Sequence, residues 1–229
     1  MVGRASGVGS CANNLPASSG GFFAPARRVQ FRVGPPKITP SLRWVRTLQP
    51  TLLHPLVKLR PLVADDWDAL YAVASDPLIW AVHPAHDRWQ EPVFRRFFAD
   101  ALASGGALVA IDPATHVIIG SSRFDPRRAE PGEVEIGWTF LARSYWGGPT
   151  NAAMKSLMVG HALTQFDRVI FNVGEGNVRS RRAMEKIGAQ LTPREHYVEM
   201  AGQTARHVIY TIDRAGFASG PLAGIGSHH

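Results

Sequence analysis

The sequence lacks three features that would quickly assign a protein to a class. It has a single cysteine, Cys11, in 229 residues, which excludes an intrachain disulfide and a cysteine-based zinc site. No apolar run approaches the length of a membrane span, and no secretory signal with an apolar centre is present. We therefore expect a soluble, cytoplasmic protein that binds neither a metal ion nor a membrane.

Acidic residues are missing from the first 52 positions, which nevertheless carry seven Lys or Arg. The other positions carry 18 basic and 18 acidic side chains, so the formal net charge of +7 belongs to this segment. It is rich in Gly, Ser, Ala and Pro and has no helix or strand periodicity, which predicts a disordered basic extension over 1–52. Organelle targeting and a plain upstream extension both stay open, while a nucleic-acid-binding arm is disfavoured because no recognition fold accompanies the charge.

The remainder of the chain has the apolar content of a packed domain, which we place at residues 53–215 with a flexible tail at 216–229. Its hydrophobic periodicities follow the order β-α-α-β-β-β-α-β-α-β-β. This order predicts an α/β fold with a mixed, mainly antiparallel central sheet flanked by helices.

A glycine turn between a strand and a helix stands at the centre of this pattern. The strand is Val134–Leu141, the turn contains Gly147 and Gly148, and a helix with apolar residues at helical spacing follows as far as Phe166. Such a junction presents free backbone N–H groups and the positive end of a helix dipole, which suit phosphate oxygens. The spacing fits neither a Walker loop nor a dinucleotide fingerprint.

Two stretches, Val134–Met158 and Asn177–Gly188, resemble the core of the GNAT N-acetyltransferases, in particular the RimJ/RimL-like branch. The similarity extends over about Leu56–Ile212. It implies the GNAT fold, acetyl-CoA as the cosubstrate, and direct attack by a primary amine in a ternary complex. The acceptor stays open between a protein N-terminus and a small-molecule amine. Oligomeric state also stays open, with a homodimer as one option.

The resemblance also implies which residues hold acetyl-CoA. Part of the central strand would pair with the pantetheine arm, and one of its N–H groups would polarise the thioester carbonyl: Trp138, Thr139 and Phe140. The glycine loop would cradle the pyrophosphate: Ser144, Tyr145, Trp146, Gly147, Gly148, Pro149 and Thr150. Asn177 would cap the last helix and contact the cofactor. Ser144 replaces the usual Gln or Arg, and Pro149 replaces a Gly or Ala and removes one N–H donor.

For proton transfer, Glu135 is the candidate base, since it matches the Glu of the family's Glu-Ile-Gly stretch and a carboxylate can take the proton directly or through water. The alternative is a strand glutamate paired with an arginine such as Arg123. Met184 stands where many family members have a tyrosine acid, and a thioether has no proton to give. Ser180, one helical turn after Asn177, matches a serine that some RimL-like enzymes place near the sulfur, so the resemblance makes it our candidate acid, with water as the alternative. Three histidines are weaker candidates for the base: His83, His86 and His161.

The same departures, Pro149 and Met184, support a second hypothesis, a non-catalytic domain that binds or senses acyl-CoA. Three arginines after Asn177 are compatible either with CoA phosphates or with a solvated helix face: Arg179, Arg181 and Arg182. The two hypotheses differ in whether acetyl-CoA is turned over with an amine.

Overall fold

The computed structural model describes residues 47–225 of the chain, and the predicted features of 1–46 and 226–229 lie outside this part. The described residues form one eight-stranded sheet with the order β1-β2-β3-β4-β5-β6-β8-β7. The strands are Leu52–His54 (β1), Val57–Pro61 (β2), Ala107–Ile111 (β3), Ile118–Asp125 (β4), Glu133–Leu141 (β5), Arg168–Gly174 (β6), Gln190–Met200 (β7) and Gln203–Asp213 (β8). Within this sheet of described residues, β5 and β6 pair in parallel and the other pairings are antiparallel.

Six α-helices accompany the sheet in the described part of the chain. They are Trp67–Ala74 (α1), Pro77–Trp80 (α2), Glu91–Ser104 (α3), Thr150–Leu163 (α4), Val178–Lys186 (α5) and Arg214–Ser219 (α6). Local signals set their ends. Asp76 and Asp213 accept hydrogen bonds from N–H groups at the starts of α2 and α6, and Gly105 ends α3 in the left-handed conformation.

Each face of the sheet has its own hydrophobic core. The β-branched and aromatic residues of the strands alternate between the two faces, so both are covered. On one face α4 and α5 pack with residues such as Met154, Met158 and Met184. On the other face α1, α2 and α3 pack around Phe94 and Phe140. The helices thus hold β5 and β6 between two packed layers.

The predicted fold class is confirmed, and the predicted order of elements recurs with additions. The structure adds the short strand β1 and the short helices α2 and α6. No helix within residues 47–225 has the length and apolar character needed to cross a membrane.

The predicted domain limits need correction at both ends of the described residues. Helix α6 crosses the expected limit at 215, and Leu222 is 1% exposed while its carbonyl accepts a hydrogen bond from the Ser156 hydroxyl at 2.9 Å. Residues 216–225 therefore pack against the core, contrary to the prediction of a flexible tail there. Upstream of the expected start, Leu48 and Leu52 also pack against the core.

Candidate active site

The parallel strands β5 and β6 separate after a short stretch of pairing. Only three residue pairs join them, from Glu133 with Arg168 to Glu135 with Ile170. Beyond these pairs the two strands diverge, and residues 136–141 of β5 and 171–174 of β6 line opposite walls of one cavity. Backbone groups that face such a gap have no ladder partner, so the gap can accept an extended ligand that supplies one.

A β-bulge lies in β5 at this gap. Ser121 pairs with Phe140 and Arg123 with Gly137, so Ser122 alone stands opposite Trp138 and Thr139. Trp138 has φ +53°, in the left-handed region that a bulky side chain rarely enters. Bulges redirect side chains and free backbone groups from the ladder, and strained backbone of this kind concentrates at functional sites.

The glycine loop joins this bulged strand to α4. Gly147 has φ +74°, and a Cβ added there would meet nothing within 4 Å, so glycine is needed for the backbone conformation rather than for space. The hydroxyl of Tyr145 donates to Asp112 Oδ2 at 2.6 Å, and the indole of Trp146 donates to the Leu141 carbonyl at 2.9 Å. Because α4 begins at Thr150, the N–H groups of its first turn have no intrahelical acceptor.

The gap, the loop and the start of α5 enclose a cavity of about 240 Å³. Seven of the eleven predicted cofactor residues line it, one of them being the buried cap of α5: Trp138, Thr139, Phe140, Tyr145, Trp146, Gly147 and Asn177. The other four belong to the loop or the first turn of α4 without lining the cavity: Ser144, Gly148, Pro149 and Thr150. The structure thus brings these seven residues together in one cavity wall.

Lys155 lines the same cavity and was missed by the sequence analysis. It is 2% exposed, and its ammonium group donates to Thr139 Oγ1 at 2.7 Å. Its Nζ lies 5.5 Å from the centre of the Phe171 ring, so the group sits between β5 and β6. Burial lowers the pKa of Lys155 from 10.5 to about 7. The available signal was its position on the face of α4 that also carries Met158 and Ala162.

Glu135 lies beside the cavity rather than in its wall. Its side chain is 3% exposed, and Oε2 has no hydrogen-bond partner among the described residues. Burial raises the pKa of Glu135 from 4.5 to about 7, while the Arg128 guanidinium, 3.8 Å away, and a hydrogen bond from Asn172 act in the opposite direction. Asn172 lines the cavity and so connects Glu135 to it. The nearby arginine is Arg128, and Arg123 contributes only a weaker charge effect.

Glu133, the neighbouring carboxylate on the same face of β5, has a different environment. It accepts two hydrogen bonds from Arg194 Nη1, at 2.9 and 3.0 Å, and one from Nη2 at 3.1 Å. Arg168 lies 3.6 Å away. Glu133 is therefore fully engaged in ion pairs, which leaves Glu135 as the carboxylate suited to accept a proton.

The start of α5 brings Asn177 and Ser180 to the cavity. Asn177 caps the helix, since its side chain accepts a hydrogen bond from the Ser180 N–H at 3.1 Å, and both residues line the cavity. Met184 lines it one turn further on. The capping role expected for Asn177 is present, and it leaves the side chain at the cavity wall.

The three histidine candidates lie in different environments. His83 lines the cavity, but burial, with the nearby charges of Arg88, His207 and Arg179, lowers its pKa to about 3, so it is a poor proton acceptor. His86 is exposed and lies outside this cavity, and His161 is bonded to Thr47 and Gln165 instead. His207 also lines the cavity, although it was not among the predicted candidates, and it stacks on His196 with ring centres 5.4 Å apart.

Of the three arginines after Asn177, only Arg179 reaches the cavity. Its guanidinium lies 4.0 Å from the centre of the Trp146 ring and donates to the Ile79 carbonyl at 2.7 Å. Arg181 donates to the Tyr210 hydroxyl, and Arg182 does not line the cavity. Arg179 therefore stiffens the glycine loop against α2, while the other two lie away from the cavity wall.

A comparison with protein families identifies this arrangement. Residues 57–190 match the model of the acetyltransferase (GNAT) domain. The chain belongs to the GNAT acetyltransferase family. As a GNAT protein it is an acyltransferase, and its family uses acetyl-CoA as the acyl donor. No curated protein matches the sequence significantly.

Solved structures share the same GNAT fold at low sequence identity. A GCN5-related N-acetyltransferase from Brucella melitensis is 18% identical, with a TM-score of 0.66 over 77% of this chain and 83% of that one. A GNAT acetyltransferase from Bacillus anthracis is also 18% identical, with a TM-score of 0.58 over 72% and 98%. Mycobacterium smegmatis RimJ, solved with CoA-disulfide, is 17% identical, with a TM-score of 0.61 over 77% and 91%.

Proposed function

We propose that this GNAT protein transfers the acetyl group of acetyl-CoA to a primary amine by direct attack in a ternary complex, and that it belongs to the RimJ/RimL-like branch. The observation that carries the proposal is the gap between β5 and β6, which opens at the bulge of Trp138 and ends at the first turn of α4. It combines unpaired strand backbone, a helix N-terminus and a cavity. The likeness to RimJ supports the choice of branch.

The residues present fit acetyl-CoA. The backbone of Trp138, Thr139 and Phe140 would pair with the pantetheine arm, and a freed N–H of the bulge would polarise the thioester carbonyl. The loop from Tyr145 to Thr150 would face the pyrophosphate, with Asn177 alongside. Pro149 offers no N–H there, so the N–H groups of the neighbouring residues would carry this contact. Acetyl-CoA supplies an activated acyl carbon, and the chain supplies position and proton transfer.

Glu135 is the proposed base. A carboxylate with a pKa near 7 can take a proton at neutral pH, and Glu135 has one because it is buried. It reaches the cavity through Asn172, so the proton of the acceptor ammonium would travel by way of a water molecule. Ser180, in the cavity wall, is retained as a candidate proton donor to the leaving group.

The charges of the cavity favour a protein N-terminal α-amine over a polyamine or an aminoglycoside. Arg88, Lys155 and Arg179 are among the described residues that line it, and no Asp or Glu is. Every additional ammonium on an acceptor would lose water beside these cations without gaining a carboxylate partner. An α-amine has a single such group, which must be neutral at the moment of attack.

The test is calorimetric titration of acetyl-CoA into the full chain, followed by measurement of CoA release with free peptides, N-acetylated peptides and spermidine. We expect binding, with release only for free peptides. The matched variants are Gly147→Ala and Gly202→Ala, because both glycines have nearly the same φ, +74° and +73°, and an added Cβ would meet no atom within 4 Å at either position. Gly147→Ala should weaken acetyl-CoA binding by about fivefold or more, because the free loop of the variant relaxes out of the left-handed conformation and must regain it, at a cost of about 1 kcal/mol, to bind. Gly202→Ala, in the β7–β8 turn, should not.

Absence of acetyl-CoA binding by the unmodified protein would refute the proposal. Binding without CoA release from any amine would indicate the acyl-CoA sensor instead. A higher kcat/KM with spermidine than with peptides would overturn the inference about the acceptor while leaving the acetyl transfer intact.

A further inference from the structure

Lys155 places a buried charge in the cavity wall. None of the contacts proposed above for acetyl-CoA or for the acceptor amine uses it. A buried ammonium is costly unless it is paired, and the hydroxyl of Thr139, 2.7 Å away, is a neutral acceptor. Nearby residues of α4 that face the core are Met154 and Met158, which fill similar space without a charge. The lysine therefore costs stability at a position where an apolar residue would pack well, and this pattern is typical of functional sites.

The position of the ammonium group defines what it can meet. Its hydrogen bond reaches Thr139, one of the two residues of the bulge, and Thr139 in turn is bonded to Ser122 at 2.8 Å. Phe171 of β6 flanks it on the other side. The group therefore lies between the two strands at the level of the bulge, where the freed backbone N–H would polarise a thioester. Ser180, the other candidate, offers a neutral hydroxyl, which stabilises an anion less than an ammonium does.

We propose that Lys155 stabilises the sulfur of CoA as it leaves and gives it a proton. This inference rests on the proposed acetyl transfer. As the acceptor nitrogen forms its bond to the acetyl carbon, the carbon–sulfur bond breaks and its electron pair stays on sulfur. One proton passes from Lys155 Nζ to that sulfur. The acceptor ammonium loses two protons: the first passes by way of water to Glu135 before attack, and the second leaves the nitrogen as the amide forms and returns by way of water to Lys155 Nζ. Release of the proton from Glu135 to water then restores the starting state.

The acidity of the groups agrees with this direction of transfer. Burial lowers the pKa of Lys155 to about 7, below the roughly 8.5 of an ordinary thiol, so the proton moves downhill to a thiolate. The transfer also turns an ammonium and a thiolate into two neutral groups, which is favourable in a desolvated gap. The described residues of the wall include four other basic side chains: His83, Arg88, Arg179 and His207. The Tyr145 phenol is the remaining titratable group among them.

The decisive measurement is binding rather than turnover. We would titrate CoA and desulfo-CoA, which lacks the sulfur, into the unmodified full chain, into Lys155→Met and into Lys186→Met. Lys186 is an exposed lysine at the end of α5, so its variant makes the same chemical change away from the cavity. The unmodified protein and Lys186→Met should bind CoA about tenfold more tightly than desulfo-CoA, the upper end of the range expected for one hydrogen bond between the Lys155 nitrogen and the CoA sulfur.

Lys155→Met should bind the two ligands equally, and its affinity for desulfo-CoA should match that of the unmodified protein, which also shows that the variant folds. Equal binding of both ligands by the unmodified protein, or discrimination retained in Lys155→Met, would overturn the inference while leaving acetyl transfer standing. Failure of the unmodified protein to bind either ligand would instead refute the proposed function itself, and this inference with it.

A kinetic arm completes the test. Lys155→Met should lower kcat by about 100-fold, with little change in the KM for acetyl-CoA. Mass spectrometry after turnover should find Lys155 unmodified. Acetylation of Lys155 at the rate of turnover would make it an acceptor instead of a proton donor and would contradict the inference.

Discussion

Replacing Glu135 with glutamine should stabilise the protein above neutral pH, because ionising this buried carboxyl costs free energy. Burial raises the pKa of Glu135 from 4.5 to about 7. The folded state therefore keeps a proton that the unfolded chain releases between these pH values. Its contribution to stability is full below pH 4.5 and is lost as the pH rises to about 7. At 1.36 kcal/mol per pKa unit, the loss is about 3 kcal/mol above this range.

The assay is chemical denaturation of the unmodified protein and Glu135→Gln at several pH values. The free energy of unfolding of the variant, relative to the unmodified protein, should rise by about 2 to 3 kcal/mol between about pH 5 and pH 8. The control is Glu91→Gln, which removes an exposed ion pair with Arg95 and should change this free energy by no more than about 0.5 kcal/mol. A difference for Glu135→Gln that does not depend on pH would refute the reasoning, and a kcat unchanged at every pH would remove Glu135 as the base.

Two further substitutions test the packing around the site. Leu222→Ala should lower the free energy of unfolding by about 3 kcal/mol, because Leu222 is 1% exposed, whereas Leu191→Ala, 52% exposed, should change it by about 0.5 kcal/mol or less. Equal effects in denaturation would contradict the packing of residues 216–225. Arg194→Met should cost roughly 2 to 3 kcal/mol, because Glu133, 5% exposed, then keeps Arg168, at 3.6 Å, as its ion-pair partner among the described residues. Adding Glu133→Gln should recover most of this loss, and a double variant as unstable as the single one would show that the ion pair is not its source.

The elements that follow strict local rules were predictable from the sequence. Strand β3, Ala107–Ile111, coincides with a continuous apolar run between a glycine pair and an Asp-Pro turn, and such a run predicts a buried strand. The Asn177 cap was predictable for the same reason, since capping depends on residues three positions apart. Local signals of this kind also led to the glycine loop and the start of α5, two of the segments that line the cavity.

The features that depend on distant partners were not predictable. The bulge at Trp138 exists because β4 presents one residue, Ser122, opposite two of β5, and this pairing is not written in β5 itself. The burial of Lys155 depends on where β6 diverges from β5. The packing of Leu222 depends on a groove beside α4 that forms only when the domain is assembled. Each is decided by tertiary contacts between segments far apart in sequence.

The carboxyl of Glu135 and the ammonium group of Lys155 are both buried near the place where β5 and β6 separate. Burial beside the gap disfavours the charged form of either group, so it raises the pKa of Glu135 and lowers that of Lys155, both to about 7. A base and an acid whose pKa values lie near neutral pH suit the proton transfers of the proposed reaction. The bulge lies at this gap, and Lys155 and Glu135 are buried beside it, so the strained backbone of Trp138, the ligand cavity and both proton-transfer groups belong to one small region of the sheet.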